Sequence, residues 1–576
     1  MGRAEQQYRD WLQNVDEELL PELVALSEQT EKRQQCFGQD LLFGTAGLRG
    51  EMGIGPNRMN RYTVGRAAAG LGKVLTIPKV VIAYDNRRHS LDFARQAAKT
   101  LLGIGVEVYL FPKIAPTPLL SFAVRKLGCG AGIMITASHN SKEYNGLKCY
   151  GADGCQMTGI ASDRVWQEMR NIDFFALPEG DLSRIHDVGE EVLLSYEEET
   201  VAQCLSKTWL AETDLKVLFT PLFGTGALVL PRIFQKAGLR HLSVVKSQME
   251  PNPDFPACPN PNPELAEAYV KALEQANEEH PDLILATDPD ADRLGTMVWD
   301  GRQYRLLSGN EIGCLLLDYF LRVKNEKQLL PSRPLLLKTV VTAPMAEKIC
   351  EAHACEWLNL PVGFKYIGEQ IRLLEEKGEG DRFLLGFEES NGYLCGHAVG
   401  DKDGILAALL VAELAAEQKK QGKSLLHRLE ELYTTYGYYS DALEDRPLFG
   451  AAAEQQMKDF LLLLRQSPFE RLGKRSVEVV IDYAAGEKRI IATGKKEGIT
   501  TIPNNMLAFY FDDGCRLAIR PSGTEPKLKL YYFASGGKRA DTKRALTEMK
   551  GAMAELLMIF EKTGKAGVGA DEIYSI

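Results

Sequence analysis

The run Gly130-Ala131-Gly132-Ile133-Met134-Ile135 is small and apolar, and it is closed by Thr136-Ala137-Ser138-His139-Asn140. A stretch of that length and character reads as a buried strand that empties its backbone into a polar loop. Buried strands belong to layered α/β architectures, in which chemistry gathers at the carboxyl ends of the strands. Ser138 sits at such an end. The residues after it, Tyr144-Asn145-Gly146-Leu147-Lys148, read as a turn with a lysine within reach. On its own, the serine pentapeptide is equally an ordinary turn or helix cap.

A second element shifts the balance. Asp288-Pro289-Asp290-Ala291-Asp292-Arg293 follows the strand-like Asp282-Leu283-Ile284-Leu285-Ala286-Thr287. Carboxylates at alternate positions repel one another in any shared pocket. In an extended loop, alternation points Asp288, Asp290 and Asp292 to one side. Hard oxygen ligands in that number suit magnesium, which keeps positions open for water or a phosphate oxygen. The bland alternative is a solvated loop with an Asx turn at Asp288-Pro289. A phosphate on Ser138 would add a further anionic ligand, and the two loops together suggest phosphoryl chemistry.

Three look-alikes fail. Gly422-Lys423-Ser424 ends like a phosphate loop, but Glu417 stands where that loop needs glycine. Gly224-Thr225-Gly226 is an incomplete dinucleotide fingerprint, with Val229 in the third glycine position. The aspartate run has Arg293 and Trp299 where a calcium loop needs glycine and a bidentate glutamate.

At 576 residues the chain has room for roughly three to five domains. Apolar residues at 45% and charged residues at 25% fit a soluble globular protein. The charged start, Met1-Gly2-Arg3-Ala4-Glu5-Gln6, reads as no signal peptide, and no run of about eighteen apolar residues is present to span a membrane. The 11 scattered cysteines never form a CxxC pair, so reduced thiols and a cytoplasmic location are expected. A net charge of −10 disfavours nucleic acid as a partner. An anionic ligand remains compatible where positive groups concentrate locally.

Residues 5–35 have a charged helical pattern and read as an N-terminal extension to a first α/β domain, together 1–212. A second domain, 213–322, opens with the strand Leu215-Lys216-Val217-Leu218-Phe219 and carries the aspartates. The third, 323–440, has its first helix beginning upstream near Ser308-Gly309-Asn310-Glu311 and includes the strand-like Pro334-Leu335-Leu336-Leu337-Lys338-Thr339-Val340-Val341. After the Tyr-rich 433–439 the chain changes character, and 441–576 reads as a helix near 451–466, β-rich sequence and a closing helix near 541–563.

Two more loops look like ligand sites. Arg520-Pro521-Ser522-Gly523-Thr524-Glu525-Pro526 lies between two strand-like segments, and its successive N–H groups, hydroxyls and guanidinium suit a phosphate. A simple hairpin loop is the alternative. Gly386-Phe387-Glu388-Glu389-Ser390-Asn391-Gly392-Tyr393 offers a carboxylate and a hydroxyl two residues apart, a spacing suited to adjacent sugar hydroxyls.

Taken in order, the serine, aspartate, sugar and phosphate loops resemble those of the α-D-phosphohexomutase superfamily over nearly the whole chain from Phe43 onward. Phe43-Gly44-Thr45-Ala46-Gly47-Leu48-Arg49-Gly50 is similar to that family's opening motif. Length and Gly53-Ile54-Gly55-Pro56-Asn57-Arg58-Met59-Asn60 look most like its longer branch of bacterial phosphoglucomutases and animal phosphopentomutases. The resemblance implies an α/β fold of four domains around a central cleft. Three would be related mixed α/β domains and the last a TATA-binding-protein-like α+β domain. It implies a phosphoserine at Ser138, a Mg2+ site of Ser138, Asp288, Asp290 and Asp292, and a reactive centre lined by Arg49, His139 and Lys148. Substrate contacts would come from Arg293, Glu388, Ser390 and Lys402, and a phosphate clamp from Arg520, Ser522, Gly523 and Thr524. One departure is Val362, where some relatives carry threonine. The implied reaction interconverts glucose 1-phosphate and glucose 6-phosphate, with glucose 1,6-bisphosphate as intermediate and activator. Pentose and mannose phosphates stand as alternatives, as do a phosphatase or bisphosphate synthase and a silent sugar-phosphate sensor. Oligomeric state is left open.

Overall fold

Short apolar runs bounded by glycine, proline and small polar residues become the strands of two parallel-cored sheets. The first takes β1 (Gly47–Glu51), β2 (Lys79–Tyr84), β3 (Glu107–Leu110), β4 (Ala131–Ile135), β5 (Tyr144–Gly151) and β6 (His186–Asp187) in the order β1-β5-β4-β2-β3-β6. β2 runs parallel to β3 and β4, and β5 is antiparallel to β4 and β1. Helices such as Ser90–Gly103 and Thr117–Lys126 pack on its faces, which is why Val80, Val81 and Ile82 are wholly buried. The second sheet takes β7 (Lys216–Thr220), β8 (His241–Val244), β9 (Leu283–Thr287), β10 (Leu294–Trp299) and β11 (Tyr304–Leu306) in the order β11-β10-β9-β7-β8.

The computed structural model describes residues 2–44, 47–447, 453–522 and 527–563. The chain divides into two compact units, Met1–Leu336 with Gly363–Leu426, and Leu337–Val362 with His427–Ile576. The first unit holds both sheets above and the antiparallel hairpin Phe383–Glu388 and Gly392–Leu394. The N-terminal helices are part of its core. Trp11 is wholly buried and meets Phe37, Tyr62, Phe174 and Phe175 at ring-centroid distances of 5.2 to 5.9 Å.

The second unit is α+β. Its antiparallel strands run in the order Tyr438–Pro447, Lys527–Gly536, Arg516–Pro521, Leu507–Phe511, Arg475–Asp482, Glu487–Ile490, Lys496–Gly498. Alternation along Lys527–Gly536 sends Leu528, Leu530 and Tyr532 into one cluster with Phe460, Met549 and Met553 from the helices Ala453–Gln466 and Arg539–Thr563. Tyr531 and Phe533 face the other way, onto Val341, Tyr483 and Met506.

One local reading is corrected. The segment at 144–148 forms the start of β5, not a turn. Asn145-Gly146 carries a turn signature, yet pairing on both sides outweighs it: Gly146 is flanked by β1 and by the chain leaving β4. A Cβ there would lie 2.5 Å from Thr136 O and 2.7 Å from Leu48 O, which explains why glycine occupies the position. Gly146→Ala is therefore expected to destabilise this unit by about 1–3 kcal/mol through overpacking. Thermal unfolding measures it, and an unshifted midpoint would contradict the packing described.

Candidate active site

Loops and strands of the first unit carry most of the sequence-predicted side chains to one place. β4 ends at Ile135 and the chain turns through Ser138, which adopts a left-handed backbone with φ +52°. That turn delivers the Ser138 hydroxyl to Asp288, where Oγ donates to Oδ2 at 2.6 Å. His139 Nδ1 lies 3.3 Å from the same Oγ. Desolvation, then the cations Arg293 and Arg49, push the His139 imidazole well below its usual pKa, so it is neutral near pH 7. Arg49 on β1 pairs in register with Gly146 on β5, and its Nη1 donates to Asn140 Oδ1 at 3.1 Å. Two positions along β5, Lys148 donates from Nζ to Asp290 Oδ2 at 2.7 Å and Asp292 Oδ2 at 3.0 Å.

The aspartates converge, but not by extended alternation. Residues 288–291 form a tight turn closed by Ala291 N–H to Asp288 O at 2.9 Å, with Ala291 itself left-handed at φ +53°. The chain wraps around a point instead of passing it, and one ligand atom from each aspartate lies within 4.8 Å of the others. The turn is held from both flanks. Thr225 donates to Pro289 O from its N–H at 2.8 Å and its hydroxyl at 2.9 Å, and Gly224 lets the backbones touch. The incomplete glycine fingerprint is thus a seat for the aspartate turn. Thr117, at the start of the helix Thr117–Lys126, donates its hydroxyl to Asp290 Oδ2 at 2.8 Å. No sequence signal pointed to Thr117.

The sugar-loop candidates join the same cluster. Arg293 and Gly392 form a backbone bridge, and Leu294 N–H donates to Asn391 O at 3.0 Å. The stem of Lys402 crosses Gly392, where a Cβ would meet Lys402 Cδ at 2.2 Å. Lys402 Nζ reaches Asp292 Oδ2 at 3.2 Å. Glu388 is buried, and the Ser390 hydroxyl bonds its carboxylate; burial raises the Glu388 pKa against the opposing pull of Lys402 and Arg293. The Arg293 guanidinium is engaged by Glu264.

Arg520 and Ser522 belong to the second unit. Arg520 closes the strand Arg516–Pro521 with Nε donating to Tyr531 OH at 3.2 Å, and Ser522 N–H donates to Lys527 O at 2.8 Å. Gly523 and Thr524 lie outside the described residues.

The electrostatics of the triad fit a hard divalent cation. Burial, then Asp290 and Asp292, drive the Asp288 pKa well above the carboxylate range. Burial opposes charge on Lys148 too, but Asp290 and Asp292 outweigh it and hold the ammonium protonated. Asp290 Oδ1 and Asp292 Oδ1 are buried and receive no hydrogen bond among the described residues. Carboxylate oxygens left bare at such a point match the donor set of magnesium. Asp290→Asn removes one charge and one ligand, so Mg2+ affinity measured by calorimetry is expected to fall at least about tenfold. Equal affinity in both proteins would exclude the triad as the cation site.

Comparisons with known proteins agree with this layout. The models for phosphoglucomutase/phosphomannomutase α/β/α domains I, II and III match residues 40–176, 196–301 and 308–436, and that for the C-terminal domain matches 475–550. A phosphoglucomutase from Staphylococcus epidermidis is 36% identical over 91% of this chain and 96% of its own length. Among solved structures, a putative phosphomannomutase from Thermus thermophilus shares the fold at a TM-score of 0.66 and 24% identity, covering 88% of this chain and 99% of that one. Parafusin, a phosphoglucomutase from Paramecium in its open form, does so at 0.65 and 18%, covering 88% and 94%. With a close relative aligned along almost its full length and all four domain types in order, the chain belongs to the phosphoglucomutase/phosphomannomutase family.

Proposed function

We propose that this protein is an intramolecular phosphotransferase that interconverts glucose 1-phosphate and glucose 6-phosphate. The observation that carries the reading is the Ser138 hydroxyl, buried at 2% exposure and held 2.6 Å from Asp288 Oδ2 beside the carboxylate triad. In the active form Ser138 Oγ carries a phosphoryl group. The Ser138 Oγ–P bond breaks as a hydroxyl oxygen of the bound sugar monophosphate bonds to phosphorus, and the proton lost from that hydroxyl is balanced by one gained at Ser138 Oγ, giving glucose 1,6-bisphosphate. The bisphosphate turns in the site, and its other phosphoryl group returns to Ser138 Oγ. Free glucose 1,6-bisphosphate acts as activator by re-phosphorylating serine that has lost its phosphate.

Asp288, Asp290 and Asp292, with Ser138, are the residues that would hold Mg2+. When bound, the ion would neutralise charge on the transferring phosphoryl oxygens. Lys148, its ammonium kept protonated by Asp290 and Asp292, relays the proton between the sugar hydroxyl and Ser138 Oγ, giving one as it takes the other. Neutral His139 and Arg49 line the phosphoryl side of Ser138. Glu388 and Ser390 hold neighbouring ring hydroxyls, with Lys402 and Arg293 beside them. Arg520 and Ser522, with Gly523 and Thr524, take the phosphate that is not reacting, and they recognise the phosphate in preference to the ring because either end of the sugar must be accepted. Phosphoryl transfer leaves little covalent work for the protein beyond positioning and charge stabilisation, which suits this donor set.

Removing the relay is the direct test. Ser138→Ala is expected to lower mutase turnover by at least about 10⁴-fold while the far-ultraviolet circular dichroism stays unchanged. Full turnover in that variant would rule out the serine relay.

The sugar follows from the hydroxyls read. Glucose and mannose share their 3- and 4-hydroxyl configurations, so a Glu388/Ser390 pair reading those positions separates them weakly. A pentose presents fewer of the same contacts and leaves buried polar groups unpaired. Side-by-side kcat/KM values are expected to rank glucose 1-phosphate first, mannose 1-phosphate second and ribose 1-phosphate last. A higher value for ribose 1-phosphate would make the enzyme a phosphopentomutase.

A further inference from the structure

Asp85 and Arg87 close a ring of interactions around the peptide of Ser138. Both lie just past the carboxyl end of β2, the parallel neighbour of β4, and neither side chain is exposed. The Asp85 N–H donates to Ile135 O at 3.0 Å, fixing the two strand ends together. Thr136 Oγ1 donates to Asp85 Oδ2 at 2.7 Å and accepts from the Ser138 N–H at 2.8 Å. On the other side of the same residue, Arg87 Nη2 donates to Ser138 O at 2.5 Å. The Arg87 Nε lies 3.2 Å from Asp85 Oδ2, which completes the ring.

The guanidinium does more than hold one carbonyl. Nη2 also donates to Asn140 O at 2.5 Å, and Nη1 donates to Ser141 O at 2.7 Å and Tyr144 O at 3.1 Å. Three carbonyls of the serine loop, and that of Tyr144 at the start of β5, therefore point at one buried cation. A loop of this kind has no strand ladder to satisfy those carbonyls, and a planar fork with five N–H groups is the side chain that reaches several at once. Burying the cation is costly unless it is paired, and Asp85 is the pair. Asp85 is itself saturated, accepting at Oδ1 from the Arg87 N–H at 3.0 Å and from Ser90 Oγ at 2.7 Å.

From this closed ring we infer that Asp85 and Arg87, acting through Thr136, are positioning residues that hold Ser138 in its left-handed conformation and aim Oγ at the aspartate turn. A non-glycine residue in that region is strained and persists only where its surroundings over-determine it. Here the N–H and the C=O of Ser138 are each gripped from the same buried ion pair, so the peptide on either side cannot rotate back to an extended conformation without breaking a hydrogen bond. The neighbouring residues extend the grip to the domain that carries the aspartates. Asn86 Nδ2 donates to Asn252 O at 3.0 Å, Arg88 pairs with Asp254 at 2.6 Å, and Arg87 stacks over Phe255 at 5.2 Å. The segment 85–88 thus ties the loop of the nucleophile to the domain of its metal ligands. This inference rests on the proposed role of Ser138 as the phosphoryl carrier.

A near-isosteric pair tests it. Thr136→Val keeps volume and shape but breaks the relay between Asp85 and the Ser138 N–H; Thr136→Ser keeps the hydroxyl. With glucose 1-phosphate and glucose 1,6-bisphosphate, Thr136→Val is expected to lose on the order of 10²-fold in kcat, the scale of a small misplacement of a reacting group, with KM changed by less than about threefold. Thr136→Ser is expected to recover most of that loss. Crystal structures of both variants give a readout that does not depend on turnover. The positive φ of Ser138 and its contact with Asp288 are expected in Thr136→Ser and absent in Thr136→Val. A Thr136→Val structure that keeps both features overturns the clamp, whatever the enzyme catalyses, as does a Thr136→Ser variant as impaired as Thr136→Val. Loss of the contact in Thr136→Val alone supports the clamp even if the wild-type protein turns over no sugar phosphate, an outcome that would count against the proposed function instead.

Discussion

Three buried carboxylates with ligand atoms within 4.8 Å of one another impose the strongest constraint in this structure. At an effective dielectric constant of about 20, two unit charges about 4 Å apart repel by about 4 kcal/mol. Asp288, Asp290 and Asp292 cannot be left to one another. Two ammonium groups answer part of the charge: Lys148 bridges Asp290 and Asp292, and Lys402 reaches Asp292. Arg293, next in sequence, is engaged by Glu264, and its Nε lies 3.9 Å from Asp292 Oδ1. What remains is Asp288, whose pKa burial and the other two carboxylates drive up, at a point where Asp290 Oδ1 and Asp292 Oδ1 receive no hydrogen bond among the described residues, and Ser138 stands at its edge. The chemistry proposed for the site follows from this imbalance: a position that needs a cation and an electrophilic phosphoryl group beside it.

The fold explains how such a cluster is assembled from distant parts of the chain. Ser138 leaves β4, Lys148 lies on β5, and Asp288 leaves β9, so the carboxyl ends of two sheets meet the antiparallel strand beside one of them. Backbone bridges then join the aspartate turn to the Glu388 hairpin. Because these contacts are main-chain hydrogen bonds and close glycine approaches, the positions of the charged groups depend little on side-chain freedom. That is the preorganisation required where positioning supplies most of the catalysis.

Much of this was legible in the sequence, for identifiable reasons. β4 and β9 announce themselves because a fully buried strand needs a continuous apolar run, and Ser138 and Asp288 follow from the rule that chemistry sits where such strands end. The same rule applied to Lys79-Val80-Val81-Ile82-Ala83-Tyr84 would have singled out Asp85. A lone carboxylate after a strand carries no chemical signature until its partners are placed. Alternation along an extended loop predicts that the three aspartates share a side, but they converge through a turn in which Ala291 is left-handed, a conformation that no side-chain property of alanine favours. Asn145-Gly146 misled because turn propensity is a local preference that pairing with two strands overrides. Thr117 and Gly224-Thr225 act through contacts formed only on folding, and neither is visible in a pattern along the chain.

The central claim is that Ser138 carries a phosphoryl group between the enzyme and the two ends of one sugar. Incubating the dephosphorylated protein with glucose 1,6-bisphosphate whose phosphoryl groups carry oxygen-18, followed by proteolysis and mass spectrometry, tests that claim most directly. The label is expected on Ser138, and chasing the labelled protein with unlabelled glucose 1-phosphate or glucose 6-phosphate is expected to move it back into sugar bisphosphate. Label on a different residue, or label on Ser138 that sugar monophosphates cannot remove, would contradict the account.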